Sequence, residues 1–234
     1  MTALFLSCEH GGNKVPPDLM PRFTGHKDIL NTHRGLDIGA LDLFRNLAPL
    51  AQETTHATLS RLCIELNRSE HHQRLFSAYT KDIDPARKQE LLKFHRAYRS
   101  GFTKLIEKRI ATKGNVLHVS VHSFTPVLDG VKRTMDIGLL YDPSRTGEKT
   151  FCWDWRSAIK ERMPSLVVSM NQPYKGISDG FTTALRVKFP KHYSGIEIEV
   201  NQRFATNGRM DPKVVSTLHD SLAELLSEAG KAAR

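Results

Sequence analysis

Short runs rich in Leu, Ile and Val recur along the chain at 3–7, 59–65, 115–121, 137–141, 166–170 and 195–200. Their length and composition predict β-strands. Between them, apolar residues fall at helical spacing over 39–51, 85–112, 146–162 and 212–229, which predicts helices there. The clearest stripe is Leu91, Leu92, Tyr98, Phe102, Leu105 and Ile106 within 85–112. Strands alternating with helices predict an α/β fold: one domain over residues 1–234, with a mostly parallel central sheet and helices on both faces. No internal repeat, low-complexity tract or linker divides the sequence.

Polar side chains gather where these runs end. In SCEHGGNKVP (7–16), Glu9, His10 and Asn13 follow the first run; in SRLCIELNRSEHH (60–72), Arg61 opens a predicted strand that Asn67 and Arg68 close. In LHVSVHSFTP (117–126), His122 ends the third run. In GIEIEVNQR (195–203), alternation sets Glu197 and Glu199 on one face and Ile196, Ile198 and Val200 on the other. Ligands of open α/β sheets bind beyond the carboxyl ends of the strands, so four strands point their polar ends at one crevice.

Taken singly, His10 and His122 each read as a core histidine satisfied by a backbone carbonyl. Each ending a separate strand, they together suit a divalent metal or a general base. A metal site needs a third ligand. Asp37, in NTHRGLDIGALDLF just ahead of a predicted helix, is either an acidic helix N-terminus or that ligand, and an oxygen of Asp37 or Asn13 would leave one position open for water. Glu199, nearer its strand's end than Glu197, is the better-placed general base. Arg61 and Arg68 offer guanidinium forks for a carboxylate or an oxyanion, and Asn67 would orient one of them. His95, in KFHRAYR, is a further candidate to face the cleft from its helix; His33, His71, His72 and His118 fall outside the pattern.

Composition narrows the class. With 39% hydrophobic and 25% charged residues the chain reads as globular. No run approaches the roughly 20 apolar residues of a transmembrane helix, and the start lacks a basic region and a cleavage site, so a cytoplasmic location is expected. The net charge of +9 is scattered, without a recognisable nucleic-acid module, so no nucleic-acid partner is expected; such a field equally draws a small anion into a cleft. Cys8, Cys63 and Cys152 are widely spaced and read as small buried hydrophobes, not as a disulfide framework or a cysteine metal site.

The segments SCEHGGNKVP, GLDIGA, SRLCIELNR, SVHSFTP, DIGLLYD, NQPYKG and IEVNQR, in that order along nearly the whole chain, resemble the N-formylglutamate amidohydrolase family. The resemblance implies a zinc-carboxypeptidase-like (phosphorylase/hydrolase-like) fold and one Zn2+ ion bound by His10 and His122. Its relatives' loop glutamate falls at Asn13, so Asp37 is expected to supply the missing carboxylate. It further implies Glu199 as base, Arg68 as a catalytic substrate-gripping residue, and Asn67, Arg61, Asn13 and Tyr174 as substrate contacts. The implied reaction is hydrolysis of a small anionic N-acyl amino acid, most simply N-formylglutamate to formate and glutamate, a step of histidine degradation. Better-known members open Pro-His-Ser-Gly where this chain has Glu9-His10-Gly11-Gly12, so Glu9 adds a carboxylate beside the metal. Two rivals stand: another N-acyl amino-acid amidase or peptidase-like enzyme on the same site, and a non-catalytic basic module binding an anion. The oligomeric state is left open.

Overall fold

The computed structural model describes residues 2–232. A six-stranded sheet forms from β1 (Thr2–Cys8), β2 (Glu53–His56), β3 (Asn115–Phe124), β4 (Ile137–Leu140), β5 (Val168–Met170) and β6 (Tyr193–Asn201). In these labels its order is β2-β1-β3-β6-β4-β5. All neighbours are parallel except β4 and β6, so the expected mostly parallel sheet is present. The helices are α1 (Ala40–Leu47), α2 (Pro85–Ala111), α3 (Thr146–Arg162), α4 (Phe181–Lys188) and α5 (Pro212–Ala232). Helix α2 starts where expected: Pro85 fixes its first turn, and the Asp84 carboxylate accepts from the N–H groups of Ala86 and Arg87, satisfying donors that a helix start otherwise leaves open.

Two-residue alternation sorts the central strands into two faces. Leu4, Leu6 and Cys8 of β1, Leu117, Val119 and Val121 of β3, and Ile196, Ile198 and Val200 of β6 pack against α1, α3 and α5 through Leu43, Trp155 and Leu218. At the amino ends of its strands the opposite face is apolar, where Ala3, Phe5, Val116 and Tyr193 meet Phe102 and Ile106 of α2 and Phe181 and Leu185 of α4. Towards the carboxyl ends the same face turns mostly polar, Phe124 excepted. In register, Ser7 lies beside Ser120 and Ser120 beside Glu197, and in the next row His122 lies beside Glu199. Strand neighbours are about 4.8 Å apart, so the pairing itself brings these side chains together.

Two expectations need correction. The run 59–65 is not a strand; a turn bond from the Cys63 N–H to the Ser60 carbonyl breaks it. Its apolar residues serve satellite clusters, Cys63 and Ile64 packing with Leu75 and Leu91, and Leu62 with Phe23 and Leu30. The strand beside β1 is instead the polar ETTH of β2, an edge strand with alternating exposure. Helix α4 was not expected from the periodicity, because its eight residues span barely two turns. The three cysteines are buried and free, as expected.

His118 occupies the row below Ser120, with no solvent exposure. One ring nitrogen meets the Ser7 hydroxyl at 2.7 Å and the other the Tyr193 hydroxyl at 2.7 Å, a pairing that suits a neutral imidazole. Burial, outweighing the attraction of Glu9, pulls its pKa down to about 3. Unfolded, the ring takes a proton near pH 6.5. Above that pH the two states bind protons alike; as pH falls from about 6.5 towards 3 only the unfolded chain gains one, so stability falls. Chemical denaturation at pH 7 and pH 4.5 should show this as a loss on the order of 2 kcal/mol, and His118→Gln should lose correspondingly less over the same interval.

Candidate metal centre and active site

The turn after β1 sets the site. A Cβ at Gly12 would lie 2.6 Å from the Thr58 carbonyl oxygen, so only glycine lets this loop pass so close to the chain leaving β2. The pass carries His10 over the carboxyl edge of the sheet. There the His10 carbonyl accepts from the Asp37 N–H at 3.0 Å, and the Asp37 carbonyl accepts from the Ala40 N–H as α1 begins. Asp37 is thereby pinned between the first loop and the first helix. Strand β3 extends through His122, whose Nδ1 lies 2.9 Å from Asp37 Oδ2; His10 Nδ1 lies 3.3 Å from the same oxygen. The imidazole centroids are 5.0 Å apart.

His10, Asp37 and His122 each offer a ligand atom within 4.8 Å of the others, all three are buried, and they are the group of this kind among the described residues. The outward-facing nitrogens are also engaged. His10 Nε2 bonds Glu65, whose Oε2 accepts from Arg61 Nε at 2.8 Å and Nη2 at 2.6 Å, while Arg61 Nη1 donates to Asp37 Oδ1 at 3.2 Å. His122 Nε2 lies 2.9 Å from Ser120 Oγ and 3.2 Å from Glu9 Oε2. Metal-binding histidines characteristically hand their second nitrogen to a carboxylate. The donor set therefore fits a divalent metal, with two imidazole nitrogens and a carboxylate oxygen converging.

Electrostatics agree with a site built for a cation. Burial works against charge on both histidines, yet Glu65 and Asp37 leave His10 with a raised pKa, and Asp37 and Glu9 raise that of His122 further. Burial works against charge on Asp37 and Glu65 too, but His10 and the Arg61 guanidinium hold both below the usual carboxylate range. Metal binding displaces protons from ligands of this kind. Glu199 behaves oppositely. Burial, with added repulsion from Asp37 and Glu197, outweighs the pull of His122 and pushes its pKa up to about 8, and its buried Oε2 has no hydrogen-bond partner.

A cavity of about 320 Å³ opens onto this group and is lined by His10, Asp37, His122, Glu199, Arg61, Asn67, Arg68 and Tyr174. Eight of the nine candidates thus meet in one place. The ninth, Asn13, lies outside the lining and donates its side-chain amide to Asn31; the turn at Gly11 and Gly12 has already carried the chain past the site. Asn67 and Arg68 reach the cavity from a turn and not from a strand end. Asn67 Oδ1 accepts from the Phe181 N–H at 2.7 Å, at the start of α4, and Arg68 donates to the Asp179 carbonyl. Glu197, although it also lines the cavity, accepts from the Thr182 hydroxyl at 2.6 Å. His95 stays outside, with Nε2 donating to the Arg68 carbonyl at 2.9 Å. Glu65, Ser120 and Tyr98 were missed as contributors. Glu65 read as the tail of a strand and Tyr98 as part of an apolar stripe, and only the fold shows what their polar ends meet.

The model of the N-formylglutamate amidohydrolase family matches residues 2–205. Among solved structures, a gene product of Agrobacterium tumefaciens superposes with a TM-score of 0.79 at 24% identity, covering 99% of this chain and 91% of its own. The N-formylglutamate amidohydrolase of Ralstonia eutropha JMP134 superposes with a TM-score of 0.66 at 16% identity, covering 98% and 96%. None of the curated protein sequences matches.

Metal analysis of protein loaded with zinc and passed through a desalting column separates the two candidate oxygen ligands. Asp37→Asn should retain much less metal than the native chain, because it replaces the carboxylate shared by both imidazoles. Asn13→Ala should retain the native amount; a loss there equal to that of Asp37→Asn would return Asn13 to the ligand set.

Proposed function

The chain belongs to the N-formylglutamate amidohydrolase family, and from that premise we propose that it hydrolyses a small anionic N-acyl amino acid, N-formylglutamate first among them, with one Zn2+ ion at His10, Asp37 and His122. The observation that carries this reading is the convergence of His10 Nδ1, Asp37 Oδ2 and His122 Nδ1 in the same cavity as an unpartnered, buried Glu199. Zinc held there supplies a Lewis acid for the amide carbonyl and lowers the pKa of a bound water towards 7.

The chain's own groups divide the remaining work. Glu199 is the general base: its free Oε2 takes the proton of the attacking water and returns it to the departing nitrogen. Burial holds the Glu199 carboxyl above the usual carboxylate range, which suits a group that must hold the proton between the two transfers. Glu197, already accepting from Thr182, is less suited. Arg61 gives all three guanidinium nitrogens to Glu65 and Asp37, so it holds the ligand set and leaves substrate carboxylates to others. Arg68, with Arg74 and Lys175 on the exposed rim of the same cavity, takes that part, and Asn67 fixes the turn on which Arg68 sits. Tyr174, whose hydroxyl accepts from Arg133 at 3.2 Å, closes one side of the mouth.

The test is a panel of N-formyl, N-acetyl and N-succinyl derivatives of glutamate and glutamine, assayed with zinc-loaded and chelated protein. Zinc-dependent release of formate from N-formylglutamate above the other substrates is expected. A preference for a different acyl group would move the assignment to another N-acyl amino-acid amidase, and hydrolysis unaffected by chelation would overturn the metal site. In the same assay Glu199→Gln should lower kcat by about 100- to 10,000-fold, the range typical of general acid–base catalysis, with KM little changed. Glu197→Gln should do much less, and a larger loss for Glu197→Gln would transfer the role to it.

A further inference from the structure

Glu9 is the first residue after β1 and has no solvent exposure. Its carboxylate is crowded with donors: Ser120 Oγ donates to Oε2 at 2.6 Å and the Tyr98 hydroxyl to Oε1 at 3.1 Å. Among the described residues its ion-pair partner is His122, at 3.2 Å from Nε2, and it forms no ion pair with a lysine or arginine. The contrast with the other half of the site is instructive. Glu65 stands in the same relation to His10, but Arg61 neutralises it directly. A buried carboxylate is strongly disfavoured unless paired; the His122 ring is the ion-pair partner in contact with Glu9, and the Arg99 guanidinium acts on it from further off.

We propose that Glu9, fixed by Tyr98 and Ser120, is a positioning residue that turns His122 Nδ1 into the metal centre and tightens zinc binding. Ser120 Oγ, which donates to Glu9, accepts from His122 Nε2 at 2.9 Å, with the Glu9 carboxylate 3.2 Å from the same nitrogen; a proton held there sets the tautomer with Nδ1 free as a ligand, and a negative partner makes the imidazole a better donor. Helix α2 contributes to this through Tyr98, whose ring belongs to its apolar stripe while its hydroxyl reaches the sheet. The inference rests on the proposed function for the identity of the metal, but it concerns a residue outside the ligand set.

The experiment measures zinc affinity directly, by competition with a chromogenic chelator, for the native protein, Glu9→Gln and Tyr98→Phe, with circular dichroism and thermal melting of the zinc-free forms alongside. Loss of an outer partner of this kind typically weakens metal binding about 10- to 100-fold. Glu9→Gln should fall in that range, and Tyr98→Phe, which removes one hydrogen bond to Glu9 and no charge, near its lower end of about tenfold. Native zinc affinity in a folded Glu9→Gln protein overturns the proposal. So does a lowered melting temperature with unchanged affinity, which would make Glu9 a structural residue. Should Glu9→Gln fail to fold, Tyr98→Phe decides alone: native affinity in that variant is equally fatal. A native chain that binds no zinc at all overturns this inference together with the metal-dependent reading, whereas a zinc-binding, active native chain with an indifferent Glu9 sinks this inference only.

Discussion

Asp37 is the point on which the site turns. Its backbone N–H donates to the carbonyl of His10, and one carboxylate oxygen faces Nδ1 of both His10 and His122 while the other accepts from Arg61. Three segments distant in sequence are thereby held to one another by a single buried anion. Such an anion persists away from water only when enough positive charge and hydrogen bonding surround it. The rest of the arrangement answers that requirement: Arg61 and Glu65 behind His10, and Glu9, Ser120 and Tyr98 behind His122.

What the sequence revealed follows from what strand periodicity encodes. In β1, β3 and β6 one face is continuously apolar, so the alternation fixes which side chains share the other face, and parallel register then brings His122 beside Glu199. That is why the two histidines, the late glutamate and the fold class were legible. The segment 59–65 was not, since its apolar residues are drawn into loop clusters under Phe23 and Leu91, and apolarity alone does not separate a strand from a packed loop. The polar edge strand β2 was invisible for the converse reason: pairing on one side with β1 asks for backbone hydrogen bonds more than for apolar side chains.

Side-chain partners were the least legible layer. Asn13 stands three residues after His10, a spacing that invites a shared metal, but Gly11 and Gly12 turn the backbone against residues 57 and 58 and Asn13 ends against Asn31. Asp37, 27 residues further on than His10, supplies the oxygen that lies against both imidazoles instead. Sequence separation says little about which oxygen completes a cluster once a tight turn intervenes. Tyr98 makes the same point on a helix, where its spacing shows which face it shares and not what its hydroxyl touches.

Charge is arranged by depth as well as by position. The floor of the cavity is acidic and buried, with Asp37 and Glu199, backed by Glu9 and Glu65, each no more than 6% exposed. Arg74 and Lys175 stand at its exposed margin, with Arg68 half-buried between. The cationic margin attracts an anion, and a divalent cation among the buried donors would add positive charge at the floor. On the proposed function, the same geometry would set the carboxylates of an N-acyl amino acid outward at Arg68, Arg74 and Lys175 and its uncharged amide inward, towards the unshared oxygen of Glu199. The net charge of +9 strengthens the attraction of anions at long range, and on the proposed function the short gradient from cationic rim to carboxylate floor would select which end of the substrate enters first.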